Sequence, residues 1–143
     1  MTDDSDTGIV VQDTAELPRF GGEEFGSQII ADATVGVEHV SVGVVTFEPG
    51  AEGSRHVRRV EEIVYVLEGT AEIVTDDETY RLTAGQAAVI PPGVHHKHVN
   101  VGDGPLRKLW IFAPQGPEEA IRERDVRPVD EDEAGSASEV SES

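Results

Sequence analysis

A chain of 143 residues is long enough for one domain with a real core and short for two. It has no cysteine, so disulfides, thiolate metal sites and cysteine nucleophiles are excluded, and any metal must be held by histidine and carboxylate. A formal charge of -18, from 29 acidic against 11 basic residues, repels phosphate backbones and anionic lipid surfaces, which argues against nucleic acid or a membrane surface as partner.

The chain opens with "MTDDSDTG", acidic and without a basic segment ahead of an apolar run, and no apolar stretch approaches the ~20 residues of a membrane span. A soluble, cytoplasmic protein is expected. Residues 1–17 carry Asp3, Asp4, Asp6, Asp13 and Glu16 with no basic residue, and 129–143 read "VDEDEAGSASEVSES". Both are expected to be disordered acidic segments flanking a folded unit at 18–128, because neither holds enough apolar surface to offset the entropy of ordering it. The acidic excess continues through the middle of the chain, where Lys97 and Lys108 are the only lysines. This composition resembles adaptation to a salt-rich cytoplasm, where charges are screened over about 3 Å at 1 M salt.

Between the ends lie short β-type segments punctuated by Gly, Pro and Asp. "SQIIADATV" and "EHVSVGVVTFEPG" come first, followed by "EEIVYVLEG" and the hairpin "TAEIVTDDETYRLTAG" with its tip at Asp76, Asp77 and Glu78. "QAAVIPPG", "HHKHVNVG" and "PLRKLWIFAP" complete the set. Strands this short and this regularly spaced predict an all-β sandwich or barrel. One short helix is expected near the C-terminus, where Pro117 precedes "EEAIRERD" and Glu118 and Glu119 suit the positive end; it should pack outside the barrel.

Residues two apart on a strand share a face, so His56 points with Arg58, and His96 with His98. Glu62 shares a face with Val64 and Val66, where an ionised carboxylate requires a cation, a metal or water. His95 and Lys97 point the other way, toward a solvent-facing surface, and His39 has no spaced partner. Trp110 sits among alternating apolar residues and reads as core or subunit contact.

Two spaced motifs make a resemblance specific. Gly50, His56, Arg58, Glu62 and Gly69 match the first cupin motif (glycine, five residues, His-x-His, three or four residues, Glu, six residues, glycine) except that arginine replaces the second histidine. Gly85, Pro91, Gly93, His96 and Asn100 match the second motif without departure. The chain thus resembles a small single-domain cupin, which implies a double-stranded β-helix, or jelly-roll barrel, with a site inside its open end. By resemblance His56, Glu62 and His96 are metal ligands. Such a set suits iron, manganese, nickel, zinc or copper as the divalent cofactor.

Arg58 cannot be a ligand, because its guanidinium stays protonated and has no lone pair. Either it binds an anionic group of a substrate beside the metal, or it pairs with Glu62 and takes the metal's place. His98 is expected in the same interior, as a further ligand or as a catalytic acid or base. The resemblance implies a metal-dependent enzyme acting on a small anionic metabolite, of dioxygenase, decarboxylase, lyase or isomerase type. The alternative is a non-catalytic binding or sensing barrel without metal. A homodimer through the apolar row Ile63, Tyr65 and Leu67 is the expected assembly.

Overall fold

The computed structural model describes residues 2–4, 7–124 and 126–127, with side chains described for 7–124; the acidic tail at 129–143 lies outside the described residues. Twelve strands are present among them: β1 (Thr2–Asp4), β2 (Ile9–Val11), β3 (Arg19–Gly21), β4 (Phe25–Ala31), β5 (Ser41–Phe47), β6 (Glu61–Glu68), β7 (Thr70–Val74), β8 (Thr79–Thr83), β9 (Ala87–Ile90), β10 (Lys97–Asn100), β11 (Leu106–Ala113) and β12 (Val126–Arg127). The single α-helix, α1, spans Glu118–Arg122 and begins after Pro117. Among the described residues no helix is long and apolar enough to cross a membrane.

Pairing is antiparallel throughout. The large sheet runs β12-β3-β4-β5-β11-β6-β9 and the small one β10-β7-β8, while β1 and β2 form a separate ribbon. The two larger sheets enclose one core, in which Ala71, Ile73 and Leu82 of the small sheet join Val64, Val66, Trp110 and Phe112 of the large one. This is the jelly-roll architecture expected from the strand spacing. The hairpin tip falls at residues 75–78 as expected, where Thr75 N and Thr75 Oγ1 both bond Glu78 O at 2.8 and 2.9 Å.

Small residues set two close approaches. Gly43 lies opposite Trp110 across β5 and β11, and a Cβ there would meet the indole at 2.1 Å, so only glycine lets the ring lie flat against the strand. Gly69, at φ +96°, turns β6 into β7 and leaves no room for a Cβ, which would sit 2.6 Å from Pro105 O.

The N-terminal segment departs from the expectation of disorder. Residues 14–16 form a 3-10 turn that Asp13 caps, and Gln28 Nε2 donates to Thr14 O at 2.6 Å and Leu17 O at 3.1 Å. Gln12 Nε2 likewise donates to Ile30 O at 2.9 Å. Side-chain amides of β4 and of the segment itself therefore hold a stretch too poor in apolar groups to anchor by burial. This segment runs along the outer face of the large sheet, where Val44 is buried despite pointing away from the barrel interior. The helix also differs in one respect. It lies against β3, but Ile121 is part of the core, and Arg122 reaches the buried Asp32 at 2.9 Å.

Elsewhere on the outer face the apolar residues stay uncovered. Tyr65 and Leu67 of β6 are 41% and 40% exposed, and Val89 of β9, the partner of Ile63 in register, is 71% exposed.

Candidate metal centre

The link from β5 to β6 carries His56, and its backbone is tied along β10. Gly50 N bonds Asn100 O, Gly53 N bonds His98 O, and His56 and His96 exchange reciprocal N–H···O bonds of 2.9 Å each. This pairing brings the two histidines side by side, with ring centroids 4.4 Å apart. Asn100 fixes the far end of β10: its Nδ2 donates to Phe47 O and Gly104 O, and its Oδ1 accepts from Gly102 N. The motif asparagine is thus a clamp between strand ends.

Glu62 comes from the opposite sheet. It pairs in register with Phe112 and Ile90 and is 4% exposed, with Oε1 3.4 Å from His96 Nε2 and Oε2 3.4 Å from His98 Nε2. One candidate ligand atom from each of His56, Glu62, His96 and His98 falls within 4.8 Å of the others. The structure therefore brings His56 together with the pair His96 and His98, while His95 and His39 are exposed and apart from them.

Arg58 takes a neighbouring position. Its guanidinium carbon lies 5.1 Å from the centroid of Phe112, in cation–π geometry, and its charge acts on His56. Glu62 has the Nε2 atoms of His96 and His98 as close polar neighbours, and Arg58 has the Phe112 ring beside it.

The donors are preset for a cation. His56 Nδ1 faces Ser54 O at 3.1 Å and His96 Nδ1 faces Val94 O at 2.8 Å. A carbonyl only accepts, so each Nδ1 carries the ring hydrogen and each Nε2 presents a lone pair. His56 Nε2, His96 Nε2 and Glu62 Oε1 are buried with no hydrogen-bond partner among the described residues. Two donors each about 2.1 Å from a shared ion lie roughly 3.0–3.4 Å apart at octahedral to tetrahedral angles, which fits the His96–Glu62 separation. Three orphaned acceptors facing each other are costly unless a proton or cation lies between them. The residues present fit a divalent metal.

Electrostatics keep His56, His98 and Glu62 deprotonated. Burial, then the Arg58 charge, pulls His56 down to about 3, and burial with Lys108 beside it pulls His98 down to about 4. Although burial alone would raise it, the neighbouring His96 and His98 hold Glu62 well below the usual carboxylate range. At neutral pH His56 and His98 are therefore neutral rings beside one anion.

Lys108 belongs to neither motif, yet it is 1% exposed with Nζ 2.7 Å from His98 Nδ1. Burial, offset in part by Glu62, lowers it to about 7. A signal exists along the strand: Leu106, Lys108, Trp110 and Phe112 alternate in β11, and all four are buried. A lysine in an inward-facing row needs a partner inside.

Comparison with known proteins agrees with this geometry. The cupin domain model matches residues 43–112. SchB of Streptomyces halstedii is 30% identical over 132 residues, covering 92% of this chain and 94% of that protein. The polyketide synthase protein CurC of Streptomyces cyaneus is 34% identical over 94 residues, 65% of this chain and 61% of CurC. In fold, the chain is similar to the polyketide cyclase RemF from Streptomyces resistomycificus, with a TM-score of 0.68 at 22% identity over 85% of each chain. The chain belongs to the cupin family.

The depressed histidines make acid destabilising. An unfolded histidine titrates near 6.5, so as pH falls below that value the unfolded state binds protons that folded His56 and His98 refuse. Stability is full above pH 6.5 and declines toward pH 4, by up to about 1.4 kcal/mol per pH unit for each histidine. The melting temperature of metal-free protein should accordingly drop between pH 7 and 5, with a shallower slope in His56→Gln; a flat profile would contradict the buried, neutral state of these rings.

Proposed function

We propose that this cupin is a metal-dependent enzyme in which His56, Glu62 and His96 hold a divalent transition metal, with a small anionic metabolite as substrate. The observation that carries the reading is the convergence of three buried donor atoms with no other partner among the described residues. The bound metal supplies a Lewis acid that polarises a substrate oxygen. Arg58, fixed over Phe112 at the edge of the cluster, orients an anionic oxygen of the substrate, whether carboxylate, phosphate or enolate. His98 is the catalytic residue that faces the substrate's reacting oxygen beside it.

These parts suit proton transfer at an enolisable carbonyl, the lyase or isomerase side of the family's chemistry. The polyketide synthase name of CurC makes a poly-β-ketone the first substrate class to try. The buried walls around the cluster, including Val64, Val66 and Phe112, exclude water from the reacting group.

Metal content decides between this reading and a metal-free binding barrel. Protein purified in high salt without added ions should contain near-stoichiometric transition metal by mass spectrometry, and His96→Ala should lose it. Protein that stays empty after incubation with iron, manganese, nickel and zinc would sink the enzyme reading in favour of the binding module. For Arg58, metal-loaded protein should melt several degrees higher with oxalate or inorganic phosphate present. Arg58→Gln should abolish that increase while keeping its metal, and an equal increase in both proteins would remove Arg58 from anion binding.

The exposed row of Tyr65, Leu67 and Val89 supports a homodimer through the outer face of the large sheet. Light scattering should then give twice the 15.4 kDa chain mass, falling to one chain in Val89→Glu. A monomeric parent protein would refute the assembly.

A further inference from the structure

Lys108 is fully buried, and nothing in the proposed chemistry uses it. Its Nζ lies 2.7 Å from His98 Nδ1, its hydrogen-bond partner among the described residues, and 5.1 Å from the centroid of the Phe47 ring, whose face favours a cation. That ring face favours the ammonium form, which has three hydrogens to give and no lone pair with which to receive one. Nδ1 of His98 is therefore the acceptor of this bond. The hydrogen of the neutral ring must sit on Nε2, which faces Glu62 Oε2 at 3.4 Å.

His56 and His96 have the reverse arrangement. Backbone carbonyls take the hydrogen of each Nδ1 and leave each Nε2 bare. Metal-ligating histidines ordinarily donate their second nitrogen's hydrogen to an acceptor in this way, and a lysine in that place inverts the pattern. Four residues converge, but the groups behind them divide the three histidines into two ready ligands and one hydrogen donor.

We infer that Lys108 is a positioning residue that fixes His98 in its Nε2–H form, keeping it out of the permanent ligand set and reserving it as a hydrogen donor toward the substrate. The ligand half of this inference rests on the metal-binding reading above; the tautomer half does not. One consequence is that His98 enters the reaction as a hydrogen-bond donor and not as a base. Another is that the coordination position nearest His98 is left for substrate. The sequence places arginine at 58 and this lysine at 108, and the two together hold the count of protein ligands at three.

Two measurements test it. In metal-free protein labelled with 15N-histidine, long-range proton–nitrogen correlation should show His98 protonated at Nε2 and His56 and His96 at Nδ1; a hydrogen on Nδ1 of His98 would overturn the inference whatever the metal does. Lys108→Met removes the donor and frees His98 to change tautomer. Cobalt(II) titration of this variant should show at least tenfold tighter binding and visible bands displaced by a further nitrogen ligand, with both gains cancelled by adding His98→Ala. Unchanged affinity and spectrum in folded Lys108→Met would overturn the ligand half. Failure of both wild type and variant to take up cobalt would instead refute the metal-binding reading, and the tautomer measurement would still decide the role of Lys108. The same measurement on the wild type decides it if the variant does not fold.

Discussion

The reciprocal backbone bonds between His56 and His96 are the constraint on which the site depends. The link between β5 and β6 has few large apolar side chains, so it cannot be placed by burial of its own surface. It is placed by lying along β10 as an extra length of sheet, with Gly50 and Gly53 bonded to that strand and His56 to His96 just ahead of it. Once this seam is closed, the first histidine has one position relative to the second. The carboxylate then needs only to arrive from the opposite sheet, and the register of β6 between β9 and β11 delivers it.

The barrel is legible in the sequence because its punctuation is local. Gly69 and Gly85 sit at φ of +96° and +92°, and Pro91, Pro92 and Gly93 separate β9 from β10, so the turns announce themselves along the chain. Period-two alternation then assigns faces, which is why spacing alone puts His96 and His98 in one interior. Disorder is the expectation for the N-terminal segment for an equally physical reason: its composition is poor in apolar groups. Its order comes from amides of Gln12 and Gln28, single long-range hydrogen bonds that leave no periodic trace.

The partners of each site residue are the harder part. Spacing places Arg58 beside His56, but the face its guanidinium lies against belongs to Phe112, on a strand far along the chain. The same applies to Lys108. Its inward position follows from the alternation of β11, whereas its contact with His98 requires the two sheets to be stacked at a known offset. Motif spacing describes strands one at a time, and the chemistry of this site is set between sheets.

Burial of Lys108 also changes how the folded protein meets reagents in solution. The chain has two lysines, and Lys97 lies at the surface beside Glu52, leaving the folded barrel with a single side-chain amine open to acylating compounds. The second amine becomes available only when the sheets separate. An otherwise lysine-poor chain therefore carries, at the floor of its site, a chemical marker of its own unfolding.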